Sequence, residues 1–86
     1  MIEQKLLLVD DQPANLVSLE AILEEDGRVL LKAESGQAAL RIMLREDISL
    51  VLLDVQMPGM DGFEVAELMR QRKDTQTIPI LSLIHI

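Results

Sequence analysis

The chain contains no cysteine, no tryptophan, no tyrosine and a single phenylalanine, Phe63. Without cysteine, neither a disulfide scaffold nor a thiolate metal site can form. Without aromatic bulk, Leu, Ile, Val and Met must fill the core. Positive charge is also scarce, with 8 basic residues against 15 acidic ones and a formal net charge of -7. Such a chain lacks the basic footprint that a phosphate backbone requires, so direct nucleic-acid binding by this segment is not expected. No apolar run approaches the ~20 residues of a membrane helix, and no membrane span is expected. The N-terminal stretch MIEQKLLLVDD lacks the long apolar core of a signal peptide, which makes a cytoplasmic setting the expectation. The glycines near residue 60 do not form a GxxxxGK[ST] loop, so a nucleotide P-loop is excluded. Repeats, low-complexity tracts and linkers are missing too. What remains, at 86 residues and 49% hydrophobic content, is one small domain with room for one site.

The chain is organised around residues 50–64, LVLLDVQMPGMDGFE. An unbroken apolar run fits a strand buried on both faces, as in a parallel sheet covered by helices. Asp54 follows that run at its carboxyl end, and in open α/β sheets ligands bind in the crevice beyond the carboxyl ends of the strands. Residues 5–9, KLLLV, repeat the arrangement and end in Asp10 and Asp11. Pro13 suits the first turn of a helix, since its missing N–H would be unpaired there anyway. Leu16, Leu19, Ile22 and Leu23 recur at helical spacing and predict an amphipathic helix over residues 13–26, stopped by Gly27.

Residues 28–33 predict a second strand, whose shorter apolar run suggests a position nearer an edge. Ser35 is the expected N-cap of a helix running to Arg45. A third strand is expected over residues 49–53. Asp61 and Glu64 stand at capping-box spacing for a helix over residues 62–72. A polar connection, residues 73–77, then leads to a fourth strand at 78–83. The order β-α-β-α-β-α-β with short connections implies a parallel sheet with helices on both faces.

If the first and third strands are neighbours, Asp10, Asp11 and Asp54 converge. Three carboxylates in one crevice repel unless a cation neutralises them. Mg²⁺ suits such a site because it takes one or two carboxylates, keeps waters and leaves positions for phosphate oxygens. The plainer alternative is that acidic residues end strands at a solvated rim. Capping accounts for Asp61, the terminal His85 has no partner pattern, and Met43, Met57, Met60 and Met69 read as core and loop filler.

The stretches LLLVDDQPAN, LVLLDVQMPGMDGFE and the later IPI together resemble response-regulator receiver domains, the phospho-acceptor modules of two-component signalling, over residues 5–83. The resemblance implies a flavodoxin-like doubly wound parallel sheet with the order 2-1-3-4-5 in the full family. It implies Asp54 as phospho-acceptor, with Mg²⁺ held by the side chains of Asp11 and Asp54, by the backbone carbonyl of Gln56, and by Asp10 through a bound water. A histidine kinase or phosphotransfer protein would supply the phosphoryl group, and the domain would assist its own modification without being a turnover enzyme. Aligned from IPI, the family's switch Thr or Ser falls at Ile84 and its Ala at His85, while its Lys lies past residue 86. Residues 1–86 therefore read as a partial receiver whose last helix, strand and helix are missing, with a tail, LSLIHI, foreign to the pattern. Two other readings compete. A Mg²⁺-dependent phosphohydrolase of the haloacid-dehalogenase kind would need a second Asp where Gln56 stands. A receiver-like interaction module that never takes phosphate would fit the absent Thr and Lys.

Overall fold

Four consecutive apolar residues close the first strand, β1 (Gln4–Val9), and Leu6, Leu7, Leu8 and Val9 are all buried. In the computed structural model, which describes residues 3–54 and 62–83, β1 is flanked on both sides. It pairs in parallel with β2 (Arg28–Ala33) and with β3 (Leu50–Asp54), and β3 pairs in turn with β4 (Ile80–Leu83). The sheet order is β2-β1-β3-β4, the expected order as far as four strands carry it, with β2 at an edge.

Side chains alternate across the sheet and give each face its own core. Leu8 and Leu52 pack with Leu16 of α1 (Pro13–Leu23) on one face. Leu7, Val9, Val51 and Leu53 pack on the other with Ala39 and Met43 of α2 (Gly36–Arg45) and with Val65 and Met69 of α3 (Gly62–Arg70). Each large side chain so buried contributes roughly 1.5–3 kcal/mol relative to leaving it exposed. Ser35 caps α2 as its sequence position predicts, its hydroxyl accepting from the Ala38 N–H at 3.1 Å.

Several boundaries differ from the sequence expectation. α1 stops at Leu23 instead of residue 26, since Glu24 is already extended. Continuing the helix would place Glu24, Glu25 and Asp26 against the negative end of its dipole. Instead the Arg28 guanidinium donates to the Leu23 carbonyl at 2.8 Å and pairs with Glu25 at 2.8 Å, capping the end with a cation. Gly27, at φ 82°, supplies the left-handed residue of the turn that the Arg28 N–H closes onto the Glu25 carbonyl. Ile22, expected among the buried stripe, is 77% exposed and lies off the packed side of α1.

α3 ends two residues early, and the connection that follows is less polar in its packing than in its composition. Thr75 is buried, its hydroxyl donating to the Met69 carbonyl at 2.7 Å. The Ile78 N–H closes a turn onto Thr75, so β4 begins at Ile80 and not at residue 78. Pro79, which has no N–H to give, still accepts from Val51 through its carbonyl at 3.0 Å. β3 runs through Asp54, which pairs with Leu83, one residue further than its apolar run predicts.

Candidate functional site

The register of the two central strands builds the site. Val9 lies opposite Leu53, so the next residue on each strand, Asp10 and Asp54, stand side by side at the carboxyl end of the sheet. Both follow residues of the α2–α3 face and so belong to the opposite, α1 face. Asp10 is fully buried, Asp54 is 4% exposed, and Asp11 is half-buried at the rim. One carboxylate oxygen from each of the three lies within 4.8 Å of the others.

The start of α1 fixes Asp10. Its Oδ1 accepts from the Gln12 N–H at 2.9 Å, and its Oδ2 accepts from the Asn15 amide at 3.2 Å. Pro13 at the first helical position turns the chain so that these donors face back toward the strand end. Gln12, the nominal N-cap, makes no side-chain cap bond, so the preceding carboxylate satisfies part of the helix start. Asn15 was not among the residues singled out by the sequence. Its signal was its place in the first turn of a helix that begins three residues after a strand-end Asp.

Three carboxylates at this spacing repel by a few kcal/mol per pair at an effective dielectric of about 20. A hard divalent cation with oxygen ligands at about 2.0–2.1 Å in an octahedron places ligand oxygens about 3–4 Å apart, close to the separation found here. The donor set is all oxygen, which suits Mg²⁺ and not a soft metal. The residues present therefore fit the ion. The structure brings together Asp10, Asp11 and Asp54 as the sequence predicts. Gln56, Asp61, Met57, Met60 and His85 lie outside the described residues.

Comparison with known proteins agrees with this geometry. Residues 6–85 match the family described as response regulator receiver domain. The chain is 40% identical over 82 residues to the sensor protein GacS of Pseudomonas syringae pv. syringae, a match covering 92% of this chain and 9% of that protein. It superposes with a TM-score of 0.88 on the N-terminal domain of a response regulator receiver protein from Methanoculleus marisnigri JR1, at 35% identity, over 93% of this chain and 65% of the other. With a TM-score of 0.87 and 29% identity, over 95% and 67% of the two chains, it also resembles the receiver domain of sensor histidine kinase PA1611 from Pseudomonas aeruginosa PAO1. That structure has a magnesium ion coordinated in its active-site cleft. The chain thus spans about two thirds of the length of these receiver structures and a small part of the sensor protein. Its acidic triad is like the Mg²⁺ sites of receivers and is consistent with a Mg²⁺-dependent phospho-acceptor pocket. Matched over nearly all of its length, the chain belongs to the response regulator receiver domain family of two-component signalling.

Proposed function

We propose that Asp54 accepts a phosphoryl group from the phosphohistidine of a histidine kinase or phosphotransfer protein, in the cytoplasm and with Mg²⁺ bound. The observation that carries this reading is the placement of Asp54 beside Asp10 and Asp11 with oxygens of all three within 4.8 Å. In the transfer, an Asp54 carboxylate oxygen attacks phosphorus, the P–N bond to the donor imidazole breaks, and the imidazole keeps the bonding pair and takes up a proton. A carboxylate is a weak nucleophile, so alignment and charge neutralisation must supply the rate. Mg²⁺, when bound, offsets charge on the transferring phosphoryl oxygens.

The chain's own residues hold that arrangement. Asp11 and Asp54 are the direct side-chain ligands of this reading, and the Gln56 backbone carbonyl is a third. Asp10, whose two oxygens are already engaged by Gln12 and Asn15, would act on the ion through a water and not directly. The β3–β4 ladder fixes the backbone that carries the Asp54 side chain. The domain assists its own modification and is not a dedicated turnover enzyme. We further propose that it continues past residue 86 with the remaining third of a receiver. The coverage of 65% of the Methanoculleus marisnigri structure supports this extension.

The test is incubation of the full-length protein with a small acyl phosphate and Mg²⁺. Labelling should be stoichiometric, labile to hydroxylamine and absent in Asp54→Asn. Unchanged labelling in that variant would sink the assignment, and sustained hydrolysis of phosphate esters would point to the phosphohydrolase reading instead.

A further inference from the structure

The face away from the acidic pocket carries a second surface. The chain runs up each strand and back down each helix, so the C-terminal ends of α2 and α3 lie at the end of the sheet opposite Asp54. Between them is a groove of about 220 Å³ floored by Leu40, Met43, Leu44 and Leu68 and edged by Gln71 and Arg72. Leu44 is 52% exposed and Leu68 36% exposed, although Ala39 and Met43 beside the first and Val65 and Met69 beside the second are buried. Leu44 also borders a neighbouring depression lined by Arg41 and Arg45.

The charges here run against those of the molecule. In a chain of net charge -7, the charged side chains lining these two depressions are all arginines. Lys5, Arg28 and Lys32 are paired with carboxylates at 3.2, 2.8 and 3.2 Å, whereas Arg41 and Arg45 make no ion pair among the described residues. Among the described residues, the ion pair of Arg72 is an exposed contact with Asp74 at 3.5 Å, of the kind that contributes little. Glu64 and Glu67 of α3 are exposed but do not line the groove.

We propose that this α2–α3 groove docks an acidic amphipathic helix of a protein partner, its apolar residues seated on Leu44 and Leu68 and its carboxylates facing Arg41, Arg45 and Arg72. A trough between two helices with exposed leucines suits residues at i and i+4 of a third helix. Arg72 at the edge of the trough, with Arg41 and Arg45 in the adjoining depression, selects an acidic one. A nucleic acid is disfavoured by the net charge and by the lack of an aromatic side chain lining the groove. A second copy docked face to face would set arginine against arginine.

The experiment is an NMR titration of the ¹⁵N-labelled full-length protein with a synthetic helical peptide carrying Leu at i and i+4 flanked by Glu. Two probes run beside it: the same peptide with Lys for Glu, and vesicles of anionic phospholipid. Shifts confined to residues 40–45 and 68–75, an affinity about tenfold lower in Arg41→Glu/Arg45→Glu, and uptake of the Lys peptide by that variant are the expected results. Both arginines are on the surface, so the variant keeps its fold, which its spectrum reports directly. Shifts elsewhere, equal binding of the Lys peptide by the unmodified chain, or binding to vesicles alone would overturn the proposal. So would concentration-dependent shifts of these residues without peptide, which would assign the surface to a second copy.

Discussion

Asp10 and Asp54 are adjacent buried carboxylates, yet removing either should have opposite consequences. Asp54→Asn keeps the side-chain shape and removes one charge from a cluster held within 4.8 Å. In the absence of divalent cations it should stabilise the fold by about 1–2 kcal/mol, through relief of repulsion. Asp10→Ala relieves the same repulsion but strips the acceptor from the Gln12 N–H and the Asn15 amide at the start of α1. Both bonds are part-buried and made to a charged group, the kind that contributes about 1.5–3 kcal/mol, so this variant should be less stable than the parent. Urea unfolding in chelator checks both, and a shift of the two variants in the same upward direction would show that repulsion outweighs the hydrogen bonds at both positions. Repeating the measurement with Mg²⁺ at ten times its dissociation constant should add about 1.4 kcal/mol to the parent, an increment lost in Asp54→Asn.

At the level of single elements, the helix ends divide into those a sequence announces and those it hides. The Ser35 cap is local, three residues from the N–H it serves, and could be read directly. Ser35→Ala should cost about 1 kcal/mol by thermal or urea unfolding. The Thr75 contact is not local in that sense, because its hydroxyl reaches back over a turn to Met69 and only the packed connection makes it buried. Composition suggested a polar connection over residues 73–77. Thr75→Val keeps the shape but removes one of two donors to the Met69 carbonyl, which the Arg72 N–H still reaches at 3.3 Å, with an expected loss of about 0.5–1.5 kcal/mol, similar to that of Ser35→Ala. The same contrast separates the strands from their limits. Apolar runs ending in Asp located β1 and β3, and with them the acidic cluster. The end of α1 depended on Arg28, a residue of the next strand, donating to Leu23, which no pattern within residues 13–26 records. Asn15 escaped notice for a similar reason, since its meaning comes from the buried carboxylate it faces.

For the molecule as a whole, the sheet order leaves two edges of different character. β2 presents Arg28 and Lys32, both ion-paired, and such charges discourage pairing with another chain. β4 presents Leu81, 55% exposed and continuous with an apolar groove of about 560 Å³ that includes Leu6, Leu19, Leu50 and Leu52. The 86-residue chain should therefore associate at high concentration through the β4 side, and Leu81→Lys should shift it toward monomer in sedimentation. A parent chain that stays monomeric, with β4 amides as slowly exchanging as those of β1, would contradict this. The central position of β1 has another consequence. β1 must wait for residues 28–33 on one side and residues 50–54 on the other before it is paired. Bringing Asp10 to Asp54 closes a loop of roughly 40 residues, an entropic cost met only when β3 has docked. An ion held between them acts as a reversible clasp on that loop, so cation affinity measures how completely the N-terminal half has threaded into the sheet.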